Sequence, residues 1–213
     1  QHLCRNHPPG GAGRKKYPEL IRTSFFENDD TKGGSLYGTP LPLLAACHPR
    51  LILRKLEPED FDSLCRILQD PEVMYACEGP FSREEVQAWL DKMLTRYKQE
   101  GVALYAVCLK ETGRMIGQCS LTMQDIPGSR VLEVGYLFEK AYWHRGYCRE
   151  AAARCLTYAF EELGAREVYA IIRDSNLPSQ NVARALGMTP VTAFTKHYRG
   201  VDMTHIVFRL QRP

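Results

Sequence analysis

The sequence holds eight cysteines but no C-x-x-C pair, and most of them sit inside apolar patterns. That usage argues against a zinc or disulfide scaffold and for the reduced thiols of a cytosolic protein. No apolar run approaches the roughly 20 residues that span a bilayer. The first residues, Gln1-His2-Leu3-Cys4-Arg5, lack the apolar core of a signal peptide. The net charge of +3 is too small to argue for nucleic acid or an anionic membrane as partner. There is no internal repeat. No G-x-G-x-x-G follows a strand pattern, and Gly10-Gly11-Ala12-Gly13-Arg14-Lys15 lacks the spacing and preceding strand of a phosphate loop. These absences predict a soluble, cytoplasmic protein with no metal, nucleic-acid or membrane partner.

What is present suits one globular domain. The chain has 213 residues, 44% hydrophobic and 25% charged, enough to bury a core without staples. Residues 1–49 stand apart. They contain Pro8-Pro9-Gly10-Gly11, Arg14-Lys15-Lys16 and Gly33-Gly34 with no sustained period, and read as a flexible or loosely docked extension. Within them, residues 41–47 are the segment apolar enough to dock. The domain proper is expected over residues 50–213.

A first strand is predicted around residues 51–53. Glu57-Pro58-Glu59-Asp60 then opens a helix with an early proline and first-turn acids, and Phe61, Leu64, Cys65 and Leu68 form its apolar face. Asp70-Pro71 ends it, and residues 72–80 read as irregular. Ser82-Arg83-Glu84-Glu85 is a capping box opening a second helix to about Gln99. Strands over 102–109 and 114–121 form a hairpin, residues 124–130 a turn, and 131–138 a further strand.

Residues 131–179 organise the chain. After the apolar strand 131–138 comes the loop Glu139-Lys140-Ala141-Tyr142-Trp143-His144-Arg145-Gly146-Tyr147-Cys148. The loop runs into a helix whose apolar residues Ala152, Cys155, Leu156, Ala159, Phe160 and Leu163 share one face. A parallel strand, 168–172, follows the Leu163-Gly164 stop. A basic, glycine-containing turn at a helix start aims backbone N–H groups and the positive end of the helix dipole at one place. That is an anion site, suited to a phosphate-bearing ligand. A short helix ending at Leu186-Gly187 and two strands near 191–198 and 204–210 complete an α/β domain, a mixed sheet with helices on both faces.

Three passages resemble the Gcn5-related N-acetyltransferases, closest to the RimJ/RimL-type branch. Gly135-Tyr136-Leu137-Phe138-x-x-x-Tyr142-Trp143-x-x-Gly146-Tyr147-x-x-Glu150-Ala151 matches that branch's G-Y-x-[LIF]-x-x-x-Y-W-x-[KR]-G-Y-x-x-E-A. Asn176-Leu177-Pro178-Ser179-x-x-Val182-Ala183-x-x-Leu186-Gly187-Met188 matches N-x-x-S-x-x-V-x-x-K-L-G-[FM], and Asp70-Pro71-Glu72-Val73 matches D-P-E-V. Together they cover about three quarters of the chain.

The resemblance implies an acyl-CoA N-acyltransferase fold: a mixed, mostly antiparallel sheet with a splayed parallel pair. It implies acetyl-CoA as co-substrate and direct transfer to a primary amine, either a protein N-terminal α-amine or a small molecule. It places the CoA diphosphate on His144, Arg145, Gly146, Tyr147, Cys148 and Arg149. Trp143 and Cys148 depart from the wider family's Q/R-x-x-G-x-G/A signature. It places the pantetheine along Leu137 and Phe138, with Asn176 as a further contact; Asn176 could equally cap the following helix.

The attacking amine must lose a proton, and the leaving thiolate benefits from a donor. Glu133, the one acid in its apolar strand, stands near the family's glutamate base, and burial would raise its pKa. It could also be a solvated edge residue. The usual acid, a tyrosine four residues after the motif serine, is here Ala183, so the resemblance points to Ser179, which could equally be a helix cap. Tyr198 is a weaker candidate for the acid. Tyr75, Glu78 and Tyr198 are expected to line the acceptor side. His197, His205, Cys148 and Cys155 read as sheet, surface or packing residues. A rival reading keeps the fold as a non-catalytic CoA-binding module. Monomer and homodimer both remain open.

Overall fold

A computed structural model describes residues 50–77, 79–100, 104–198 and 200–213. The readings of residues 1–49 and of Glu78 therefore lie outside the described residues, as does the Tyr198 side chain.

The first strand, β1 (Leu51–Lys55), alternates buried and partly exposed residues. A single tight turn at Pro58–Asp60 then leads into α1 (Phe61–Leu68), whose Leu64, Cys65, Ile67 and Leu68 are buried. Asp70 does not simply stop a helix. Its carboxylate accepts the Glu72 N–H at 2.8 Å and starts α2 (Pro71–Met74), so the stretch expected to be irregular begins with a helical turn. The capping box is reciprocal as expected. The Ser82 hydroxyl accepts the Glu85 N–H at 3.2 Å, and Glu85 accepts the Ser82 N–H at 2.9 Å, opening α3 (Arg83–Glu100).

Strands β2 (Leu104–Leu109), β3 (Met115–Ile126) and β4 (Ser129–Phe138) form an antiparallel meander. Residues 124–130 are not a broad turn. Pairing runs out to Ile126 opposite Ser129, leaving only Pro127-Gly128 as the connection. Gly128 closes that tight turn with φ +82°, a conformation nearly free of cost only for glycine.

Helix α4 (Tyr147–Glu161) crosses to β5 (Glu167–Arg173), the only parallel neighbour in the described sheet. Then come α5 (Leu177–Ala185), β6 (Thr189–Tyr198) and β7 (Val201–Gln211). The seven strands lie in the order β1-β2-β3-β4-β5-β7-β6. One face carries α4, with Cys155, Leu156 and Ala159 packed on Cys119, Leu121, Val134 and Phe138. The other carries α1 and α3, with Leu64, Leu68, Leu90 and Met93 packed near Leu104, Ala106 and Met115. Helices on both faces are what a sheet buried on both sides requires. The six described cysteines are free thiols.

Candidate active site

The site begins where β4 and β5 part. Their ladder registers at one place, Glu133 opposite Tyr169. Beyond it the strands diverge around a cavity of about 30 Å³, lined by residues 133–137 of β4, 170–172 of β5, Val73, Ala76, Cys77, Asn176 and Ser179. The expected splay is therefore present, and it gathers Glu133, Leu137, Asn176 and Ser179 around one opening. Phe138, the next residue, is buried in the α4-side core.

Glu133 is no solvated edge residue; it is 1% exposed. One carboxylate oxygen accepts the Ile171 N–H across the splay at 3.3 Å, and the other, Oε2, has no hydrogen-bond partner among the described residues. Burial raises the pKa of this carboxyl above its ordinary value, because the anion has lost its water.

At the far side of the opening, Asn176 caps α5. Its side-chain oxygen accepts the Ser179 N–H at 3.2 Å and the Tyr75 hydroxyl at 3.1 Å. Ser179 therefore lies inside the first turn of α5 and is not its cap. Its carbonyl accepts the Tyr136 hydroxyl at 2.9 Å, tying α5 to β4. Tyr75 is half-exposed at the rim, and the Arg173 guanidinium reaches its carbonyl at 3.3 Å.

The basic loop lies beyond the Phe138 end of β4. His144 has φ 58°, the single positive value among described non-glycine residues, and Gly146 has φ +79° at the N-cap of α4. Among the described residues no side chain caps that helix, so its first backbone N–H groups have no side-chain acceptor there. His144, Arg145, Gly146 and Arg149 are exposed, while Tyr147 and Cys148 are half-buried. The Cys148 side chain packs against the α4-side core, and burial pushes its thiol far up.

Two features escaped the sequence reading. Arg50 folds onto the loop: its guanidinium donates to Glu150 Oε2 at 2.8 Å and to the Arg145 carbonyl at 3.0 Å. No local pattern joins residues so far apart in sequence. The second is a buried polar row on β3, comprising Gln118, Ser120, Thr122 and Gln124, each at most 2% exposed. Its period-two alternation is visible in the sequence, but alternation ordinarily marks a wet face. Here the row lies across from Leu137, Gly135, Glu133 and Val131 of β4.

Comparison with known proteins bears on these features. The family model described as an acetyltransferase (GNAT) domain matches residues 50–189. The chain belongs to the GNAT acetyltransferase family. The match takes in the strand splay, the basic loop, α4 and α5. An uncharacterized Bacillus subtilis protein, YkkB, is 35% identical over 140 residues, 65% of this chain and 81% of that one. An uncharacterized N-acetyltransferase, p20, of Bacillus licheniformis is 33% identical over 139 residues, covering 64% and 78%. The crystal structure of a GNAT-family acetyltransferase from Bacillus anthracis superposes with a TM-score of 0.67 at 24% identity, covering 76% of this chain and 95% of that one. The last likeness shows the fold. GNAT acetyltransferases use acetyl-CoA as co-substrate, and this chain is an acetyl-transferring enzyme. Among the described residues, no helix is long and apolar enough to cross a membrane, and no His, Cys, Asp and Glu group could hold a metal.

Proposed function

We propose that the enzyme transfers acetyl directly to a primary amine, a protein N-terminal α-amine or a small-molecule amine, with both substrates bound together. The observation that carries this reading is Glu133: a buried carboxylate with one free oxygen, at the point where the parallel strands part. Acetyl-CoA, when bound, supplies the acetyl thioester.

The residues fit such a co-substrate. Beyond Glu133 the β5-facing side of β4, along Leu137 and Phe138, has no strand partner among the described residues and is the edge on which the pantetheine would lie as an added strand. The Phe138 carbonyl, however, is held by the Trp143 indole N–H at 2.9 Å. The uncapped start of α4, with Gly146 presenting no side chain and Arg145 and Arg149 adding positive charge, suits the diphosphate. His144, Tyr147 and Cys148 shape that loop. Asn176 holds the thioester end of the opening.

Glu133 takes the proton from the acceptor ammonium, directly or through water, so that a neutral amine can attack. Its raised pKa makes the carboxylate a stronger base than an exposed glutamate. Ser179, across the opening, donates a hydrogen bond to the leaving sulfur. Tyr75, at the rim, forms the acceptor side. The domain is assigned to residues 50–213 and the protein to the cytoplasm, the latter from the cysteine pattern of the sequence.

Calorimetry with CoA, followed by thiol release across a panel of peptides, amino acids, aminoglycosides and alkylamines, tests the proposal. The expected result is CoA binding and thiol release with at least one amine. CoA binding without release by any acceptor would favour the non-catalytic module, and no CoA binding would overturn the site.

A further inference from the structure

We infer that Arg50 is a positioning residue for the diphosphate end of the co-substrate, a clamp that sets the direction of the loop's backbone donors. The inference rests on the reading of the basic loop as the diphosphate site.

The backbone of Arg50 is itself fixed. Its carbonyl accepts the Lys110 N–H at 2.9 Å, locking it to the edge of the sheet beside β1. From that base the side chain makes four separate contacts with the loop and helix. Nε and Nη2 hold Glu150 Oε2 at 2.8 and 2.7 Å, a two-nitrogen grip on one carboxylate oxygen. The Arg50 N–H reaches the other oxygen at 3.4 Å. Nη1 donates to the Arg145 carbonyl at 3.0 Å, and the guanidinium lies 4.5 Å from the centre of the Tyr147 ring.

Two consequences follow from elementary geometry and charge. The Arg145–Gly146 peptide is planar and trans, so its C=O and N–H point in opposite directions. Drawing the Arg145 carbonyl toward Arg50 therefore turns the Gly146 N–H, at the N-cap of α4, the other way. Glu150 sits in the first turn of that helix, where its negative charge opposes an incoming diphosphate. The Arg50 guanidinium, paired with that carboxylate at 2.7 Å, offsets part of its charge. Arg50 thus orients the Gly146 donor and lessens a repulsion without needing to touch the ligand.

The test is CoA binding by calorimetry to the full chain and to its Arg50→Ala, Arg50→Lys and Arg50→Ala/Glu150→Gln variants. Thermal melts confirm that each variant is folded. NMR titration with pantetheine, which lacks the diphosphate, provides the comparison ligand. Arg50→Ala should weaken CoA roughly fivefold to tenfold, because the lost contacts are charge-assisted but partly exposed. Pantetheine affinity should stay the same. Arg50→Lys should recover part of the loss, and adding Glu150→Gln to Arg50→Ala should recover part by removing the negative charge. An equal loss for CoA and pantetheine would make Arg50 merely structural and overturn the inference, as would an unchanged CoA affinity. If the unsubstituted protein fails to bind CoA, the reading of the loop falls and the clamp falls with it.

Discussion

The Glu133 side chain takes the place of a strand-ladder bond: its Oε1 accepts the Ile171 N–H at 3.3 Å just where the β4–β5 pairing ends. One carboxyl group therefore satisfies a backbone donor exposed by the splay and keeps a second oxygen without a hydrogen-bond partner among the described residues, on a residue that lines the opening. Glu133→Gln keeps an acceptor for Ile171 and removes the base. Turnover at neutral pH should fall by about two to three orders of magnitude, in the range of lost general-base catalysis, with CoA affinity unchanged. Glu133→Ala removes the bond as well, so it should also weaken CoA binding. Steady-state rates and calorimetry on the two variants separate these roles.

The same residue carries a pH signature in stability. Its folded pKa is raised from 4.5 by burial. The folded state therefore holds its proton to higher pH than the unfolded chain, and its favourable contribution is complete below 4.5 and lost as pH rises through the folded value. Glu133→Gln should melt higher than the unsubstituted protein at pH 7, by about 1.4 kcal/mol for each unit of raised pKa. The gap should close as pH falls toward 4.5. Melting curves across that range check it, and a gap that widens on acidification would contradict the buried-anion account.

Gly146 tests the loop in another way. A side chain there would meet only Arg50 Nη2, at 3.5 Å, but would be forced to φ +79°. Gly146→Ala should cost about 1–2 kcal/mol through backbone strain and weaken CoA markedly. Gly113, with φ +70° and open space around it in the β2–β3 turn, is the control. Gly113→Ala should lose similar stability and bind CoA normally.

The bond from the Tyr136 hydroxyl to the Ser179 carbonyl links the central strand to the first turn of α5. Tyr136→Phe should cost about 1 kcal/mol of stability, the net worth of one hydrogen bond. It should also lower turnover by loosening Ser179. Ser179→Ala should lower turnover while leaving stability nearly unchanged, since Asn176 caps the helix. Paired melts and rate measurements distinguish the two.

His205 governs the acid limb of stability. It is 4% exposed, hydrogen-bonded through Nδ1 to the Met203 carbonyl at 2.9 Å and stacked on Phe194. Burial pulls its pKa down from 6.5 to about 4. A lowered folded pKa means that its contribution is present above 6.5 and is lost as pH falls through about 4. His205→Gln should flatten that part of the stability profile, measured by denaturant unfolding between pH 7 and 4.

The amino-acid sequence by itself determined the local devices. The capping box at Ser82, the apolar face of α4 and the glycine turn at its start are written within a few residues, because caps and helical faces depend on near neighbours. The motif order was also enough to place the chain among the acetyltransferases. The limits of β3 and the tight Pro127-Gly128 turn were not legible, since strand length depends on the partner strand. Only the tertiary structure decided what joins distant segments. Asn176 meets Tyr75 from 101 positions away, and Arg50 meets Glu150 from 100. Glu133 is buried with one free oxygen only because two parallel strands separate there. The polar alternation of β3 reads as a wet face until the folded chain shows each of those side chains buried. Contacts of this kind are fixed by how the layers close over one another, which no single stretch of sequence specifies.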